Sequence, residues 1–264
     1  MTGPRGASRE VPWWLLALLA LLGGAYVAVL LDDGARQVLL TLRRGVWITV
    51  LVSVLSFAGA CLLGLALALM ALSGSRVARH AARLYVEVVR GVPILVLLLY
   101  VAFVLAPGLV AGWNALAGAT GLPPVTMRDF PLLWRAVLAL VIAYSAFVAE
   151  VFRAGLQAVP RGQVEAALAL GLGRWRRFRH VVLPQAVRTI LPPLGNDFVA
   201  MVKDSSLVSV VGVLDIAQLG KVTAAGNFRY FETYNVVALL YLTMTVALSL
   251  GLRRLERRLD AGKA

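Results

Sequence analysis

Apolar runs long enough to cross a lipid bilayer recur along this chain, and they leave little freedom in what it can fold into. About 20 mostly apolar residues in a helix span the hydrocarbon core, at 1.5 Å per residue across about 30 Å. Such runs occupy 12–31, 45–72, 92–109, 131–152 and 233–252, with a shorter one at 189–202. In lipid every backbone N–H and C=O must be satisfied internally, so runs of this length are helices. Of the 264 residues 60% are apolar and only 15% charged, against about 25% charged in an ordinary soluble domain. Composition thus excludes a soluble globule, and it equally excludes a disordered chain.

The segments between the runs organise the rest. Arg5 and Arg9 precede the first run, which is too long for a signal-peptide core and lacks a small-x-small cleavage site; it reads as a retained span. Asp32 and Asp33 end it. The mixed stretch 34–44, with Val38, Leu39, Leu40 and Leu42 beside Arg36, Arg43 and Arg44, reads as an interfacial amphipathic helix. A polar, Gly/Pro-containing loop is expected over 110–130. The fifth apolar stretch opens on Pro192-Pro193 and breaks at Lys203-Asp204-Ser205-Ser206. With six spans and an inside N-terminus, the inside segments hold 18 basic residues and the outside segments 6. The excess of basic residues on cytoplasmic loops then sets both termini inside. The expected organisation is an N-terminal span and interfacial helix over 1–44, a transmembrane core over 45–259 and a short tail over 260–264.

The net charge of +13 sits in short clusters between apolar runs, the pattern of membrane loops rather than of a nucleic-acid partner. Cys61 is the one cysteine, so no intrachain disulfide forms. No phosphate loop, H-E-x-x-H or G-x-S-x-G string is present, which argues against ATP binding or hydrolysis by this chain alone. No metal site is expected.

The segment 153–188 carries seven arginines against one acid, Glu165. Residues 163–170 are strong helix formers with that acid in the first turn and Gly171 placed to stop the helix. Ala166, Ala167, Ala169 and Gly171 give a nearly bare face that another protein's surface can approach. Over 174–188, Trp175, Phe178 and Val182 recur at i, i+3, i+7 between arginines. The result is a short helix–turn–helix at the inner membrane face, and an elbow resting on lipid headgroups fits the same pattern.

The string Glu165-Ala166-Ala167-x-x-x-Gly171, followed by Leu183-Pro184, resembles the EAA loop of ABC-importer permease subunits. Its flanks resemble the polar amino-acid (histidine/glutamate/glutamine/arginine type) family. They include Glu87-Val-Val-Arg90-Gly91-Val-Pro93, Ala149-Glu150-Val-Phe-Arg153-Ala-Gly155, Pro160-x-Gly162-Gln163, Leu191-Pro192-Pro193-Leu194-x-Asn196, Lys203-Asp204-Ser205-Ser206 and Phe231-Glu232-Thr233-Tyr234. The likeness runs from about residue 45 to 259, in order.

The resemblance implies an all-α membrane protein of about six transmembrane helices, a five-helix permease core plus one extra N-terminal span. It implies a cytoplasmic coupling helix in which Gly162, Glu165, Ala166, Ala167, Gly171 and Pro184 meet a cytoplasmic ATPase, with Pro184 ending the loop's second helix. The implied partners are an ATP-binding subunit dimer that carries ATP and Mg, a second permease copy or paralogue, an extracytoplasmic binding protein and the lipid bilayer. The implied location is the bacterial inner membrane, and the implied cargo a polar amino acid: glutamate or aspartate, glutamine, or a basic one.

Charges within the membrane cost several kcal/mol unless paired or wetted. Asn196, Ala200 and Lys203 share one helical face, and Asp197 and Asp204 another. Either Asn196, Asp197, Lys203 and Asp204 line the substrate pathway, as polar groups on broken transporter helices do, or Asp197, Lys203 and Asp204 brace the bent segment by pairing with each other. Glu150 and Arg153, three apart, read as an interfacial pair. An ion-coupled secondary transporter is the alternative function, but no internal repeat supports it.

Overall fold

The computed structural model describes residues 13–261. Arg5, Arg9 and Lys263 lie outside the described residues. Among the described residues the fold is helical throughout. The helices are α1 (Trp13–Leu31), α2 (Asp33–Leu72), α3 (Arg76–Gly91), α4 (Ile94–Tyr100), α5 (Ala106–Thr120), α6 (Leu132–Gln157), α7 (Arg161–Ala169), α8 (Arg174–Arg177), α9 (Leu183–Asp204), α10 (Ile216–Asn227) and α11 (Tyr230–Ala261). Five helical stretches are long and apolar enough to cross a membrane: Trp13–Leu31, Asp33–Leu72, Ile94–Thr120, Leu132–Gln157 and Tyr230–Arg257. The 22-residue α9 is the sixth of spanning length, about 33 Å, diluted by polar residues.

The expected interfacial helix over 34–44 is not a separate element. The Asp32 side chain accepts from the Gly34 and Ala35 amides and caps α2, which then runs unbroken for 40 residues. Ala35, Val38 and Leu42 are buried in a cluster with Ile216, Val236 and Leu239, so this stretch packs on protein instead of lying on lipid. The expected loop 110–130 is also shorter. Helix α5 continues to Thr120 and ends on Gly121 at φ +75. Asn114 holds the loop against it, donating to the Val125 carbonyl at 2.9 Å and accepting from the Val125 amide at 2.8 Å. Tertiary hydrogen bonds here outweigh the weak helix propensity of Gly112, Asn114 and Gly118.

Two π-helical turns, Val101–Leu105 and Phe178–Val182, each stand two residues ahead of a proline, Pro107 and Pro184. The Ala106 amide bonds the Val101 carbonyl and the Leu183 amide the Phe178 carbonyl. A proline ring collides with the carbonyl four residues back, and the wider turn accommodates it without breaking the rod. Pro184 therefore does not end the loop's second helix; α8, the π turn and α9 form one continuous helix from 174 to 204.

The two long helices α2 and α6 form the spine. Ser56, Ala60 and Gly64 of α2 are buried against α6, where Ala139, Ala143, Ser145, Ala146 and Ala149 are buried in turn. A Cβ on Gly64 falls 2.8 Å from Val148 Cγ1 and 3.0 Å from both the Ala149 amide nitrogen and the Ser145 carbonyl oxygen. Small residues allow such backbone approach where no hydrophobic force separates helix from lipid. A second crossing lies at Gly45, whose Cβ falls 2.7 Å from the Ile216 backbone nitrogen. One turn on, the Ile216 amide donates to Thr49 Oγ1 at 3.3 Å. Asp215, fully buried, caps α10 by accepting from the Gln218 amide at 2.8 Å and accepts the Tyr241 hydroxyl at 2.9 Å. This node ties α2, α10 and α11 together.

Two outcomes follow, both read by thermal unfolding in mild detergent. Gly64→Leu drives a side chain into α6 backbone and is expected to destabilise by about 3 kcal/mol, the upper range for overpacking. Asp215→Ala removes the cap and orphans the Tyr241 hydroxyl, at a cost of about 2–3 kcal/mol. Asp215→Asn, which keeps the cap acceptor, retains most of the stability; equal loss in both variants contradicts the capping role.

Candidate coupling elbow and intramembrane polar face

The elbow 160–182 is built from local chemistry. Pro160 occupies the N-cap of α7, and its fixed φ suits the approach to a helix. The helix starts at Arg161, two residues earlier than the sequence suggests, so Glu165 sits in the second turn and not the first. Its end follows the expected design. Gly171 adopts φ +72; the Gly171 amide bonds the Leu168 carbonyl at 2.9 Å and the Leu172 amide the Ala167 carbonyl at 3.1 Å. That pair of bonds is a Schellman closure, which needs a left-handed residue at this point.

The expected bare face is divided. Gly162, Glu165, Ala166, Ala169 and Gly171 are exposed, whereas Ala167 is 4% exposed and turns inward. What the elbow presents outward instead is apolar: Leu168, Leu170 and Trp175 are 60%, 80% and 71% exposed. Phe178 lies beside Trp175, the rings tilted with centroids 6.0 Å apart. A rigid turn carrying three large exposed apolar side chains among arginines is a surface that calls for a partner.

The intramembrane residues separate into different environments. Asp204 accepts the hydroxyl of buried Tyr144 at 2.7 Å. Asp197, also on α9, has a buried Oδ2 without a hydrogen-bond partner, within electrostatic reach of Cys61 and Tyr144. Asn196 is exposed. Lys203 lines a different cleft, with Trp14 and Arg253. Mutual pairing of Asp197, Lys203 and Asp204 is therefore not what holds the segment. The bend after α9 is stabilised by Tyr144–Asp204 and by the Ser205 hydroxyl, which donates to the Val202 carbonyl at 2.7 Å.

The Glu150–Arg153 pair does form, as a side-chain ion pair in which Arg153 also donates to Gln157 Oε1 at 2.8 Å. Sequence reading missed its setting. Arg83, Glu87 and Arg90 of α3 join it around a pocket of about 390 Å³, with the Arg90 guanidinium 5.6 Å from the Phe147 ring centre. The two charged motifs at 87–93 and 149–155 thus converge. The i, i+4, i+7 recurrence of Arg83, Glu87 and Arg90 was the available signal. No group of three metal-ligating side chains occurs among the described residues.

Comparison with known proteins gives this geometry its context. Residues 60–262 match the family described as the binding-protein-dependent transport system inner membrane component. The chain is 37% identical over 220 residues to the glutamine transport system permease protein GlnP of Escherichia coli, covering 83% of this chain and 92% of that one. It is 34% identical over 218 residues to the glutamate transport system permease protein GluC of Corynebacterium glutamicum, covering 82% and 93%. Among solved structures, an amino acid ABC transporter crystallised with histidines superposes with a TM-score of 0.69 at 36% identity, over 83% of this chain and 94% of that one. The MetNI methionine ABC transporter shares the fold, with a TM-score of 0.62 at 19% identity over 86% and 99%. With a family match over most of its length and relatives matched nearly end to end, the chain belongs to the inner-membrane components of binding-protein-dependent transport systems, as a multi-pass permease.

Proposed function

We propose that this chain is the membrane subunit of an ATP-driven importer that moves a polar amino acid, of the glutamine or glutamate kind, by alternating access. The observation that carries the reading is the elbow at 160–182, a Schellman-closed turn presenting Leu168, Leu170 and Trp175 outside the bundle. A groove on a cytoplasmic ATPase is its natural counterpart. The names of the relatives support the substrate class.

In this reading the ATPase dimer binds ATP and Mg and this chain binds neither; the chain is not an enzyme. Closure of the ATPase dimer pushes the elbow. Because α8 and α9 are one rod, the push is delivered along α9 to the polar residues near its far end. Gly162, Glu165, Ala166, Gly171 and Pro184 act in coupling, Ala167 by seating the helix on the chain's own core. Asn196, Asp197 and Asp204 line the pathway, and the Oδ2 of Asp197, buried here without a hydrogen-bond partner, accepts from an ammonium or amide group once the pathway opens onto it. Both termini lie inside. A second permease copy or paralogue completes the pathway, and an extracytoplasmic binding protein delivers the amino acid.

The test is uptake of labelled glutamine, glutamate and arginine into proteoliposomes holding this subunit, its ATPase and its binding protein. Glu165→Lys with Gly171→Asp reverses a charge and strains the αL turn by about 1–2 kcal/mol; ATP-driven uptake is expected to vanish while the protein stays folded. Uptake that survives, or that needs no ATPase, contradicts the reading. Asp197→Asn is expected to raise the KM for uptake about tenfold with ATPase activity intact, the loss of one charge-assisted hydrogen bond; an unchanged KM removes Asp197 from the pathway.

A further inference from the structure

A cleft of about 240 Å³ opens between α1, α9 and α11, lined by Trp14, Val199, Lys203, Thr245, Ser249 and Arg253. Its depth follows from the packing. Gly195 of α9 abuts Leu252 of α11. Lys203 is eight residues further along α9, so its backbone sits about 12 Å deeper in the bundle than that contact. The cleft therefore has Arg253 at one end and Lys203 about 12 Å further along α9.

Among the described residues both cations lack a counter-ion: the ion pair is Glu150–Arg153, and no carboxylate reaches Lys203 or Arg253. The neighbouring Asp204 points elsewhere, to Tyr144. The Arg253 guanidinium lies 4.6 Å from the Trp14 ring centre, which orients it without neutralising it. Lys203 is exposed on the flank of the bundle, where an unpaired charge costs several kcal/mol. The half-buried Ser249 hydroxyl has no acceptor among the described residues. The Thr245 hydroxyl, by contrast, is already committed to the Tyr241 carbonyl at 2.9 Å. Leu18 and Leu250 supply apolar wall beside these groups.

Two cations and a hydroxyl donor beside apolar walls, opening on the bundle's flank, match a phosphodiester with acyl chains attached. We propose that this cleft binds an anionic glycerophospholipid, its phosphate held by Arg253 and Lys203 with Ser249 donating a hydrogen bond, and its chains lying along α1 and α11. Basic pockets between transmembrane helices recognise lipid headgroups in this way. Helix α1, which supplies Trp14, lies outside the segment matched to the family, so the closed form of the cleft belongs to this chain and not to the shared core. The bound lipid fastens α1 to the core through charge, beside the Tyr26–Thr243 hydrogen bond of 3.0 Å.

The test uses the full chain purified in mild detergent, with two readouts. Native mass spectrometry reports retained lipid, and thermal unfolding reports stabilisation by added phosphatidylglycerol, phosphatidylcholine or inorganic phosphate. The native protein is expected to retain phosphatidylglycerol and to be stabilised by it, and not by phosphatidylcholine or inorganic phosphate. Lys203→Met with Arg253→Gln is expected to weaken retention about thirtyfold, from the loss of two headgroup contacts. Arg254→Gln with Arg257→Gln removes the same charge outside the cleft and is expected to leave retention unchanged. Should the first pair fail to fold, Ser249→Leu fills the cleft with both cations kept and is expected to expel the lipid. Equal retention in the cleft and control variants, or retention that survives Ser249→Leu, overturns the proposal. Stabilisation by inorganic phosphate equal to that by phosphatidylglycerol also overturns it, in favour of a free-anion site.

Discussion

The close approach of α2 to its neighbours at Gly45 and Gly64 is the constraint on which the rest of the structure depends. At Gly64 the backbone of α6 comes to within 3.0 Å of a would-be Cβ, and at Gly45 the start of α10 to within 2.7 Å. In lipid, apolar surface gains nothing by leaving its surroundings, so helices associate through van der Waals fit and hydrogen bonds. Fit of this kind needs small residues at the crossing. With α2 fixed at two points along its 40 residues, α6 is held on one side, and α10 and α11 on the other through the Thr49–Asp215–Tyr241 node.

The elbow is braced on the same bundle. Gly155 of α6 packs on Ile190 of α9, with a would-be Cβ only 2.2 Å from Ile190 Cγ1; the two helices leading into and out of the elbow are thus pressed together at its base. The turn itself is held by backbone bonds and a left-handed glycine. The π turn at 178–182 keeps α8 and α9 continuous despite Pro184. Asp197 and Asp204 thus stand on the same continuous helix that leaves the elbow.

The charged groups fall into three sets that sequence spacing alone does not distinguish. Glu150, Arg153, Arg83, Glu87 and Arg90 gather near the base of the elbow. Asp197 and Asp204 face the α6 side of α9. Lys203 and Arg253 face α1. Helical periodicity correctly put Lys203 on a different face from Asp197 and Asp204, but which neighbour each face meets is a property of the packed bundle.

Much of the protein was legible before any fold was seen. Apolar run length dictates helices because lipid offers the backbone no hydrogen-bonding partner. The stop at Gly171 is local chemistry, since a left-handed C′ position favours glycine wherever it occurs. Ordered motifs through the elbow pointed to the family. Other features lay beyond local reading: Asp32 and Asp33 mark a break, yet Asp32 also caps a helix whose first turns are covered by Ile216 and Val236, residues far away in sequence. Asn114 extends α5 only because Val125 folds back onto it, and Ala167 looks as bare as Ala166 until the core beneath it is known. The chain by itself determined which stretches form long apolar helices and where the elbow turns, because those depend on hydropathy and backbone conformation within a few residues. Only the tertiary structure decided which charges are paired, which are orphaned and which helix covers which, because those depend on close approach between segments far apart in sequence.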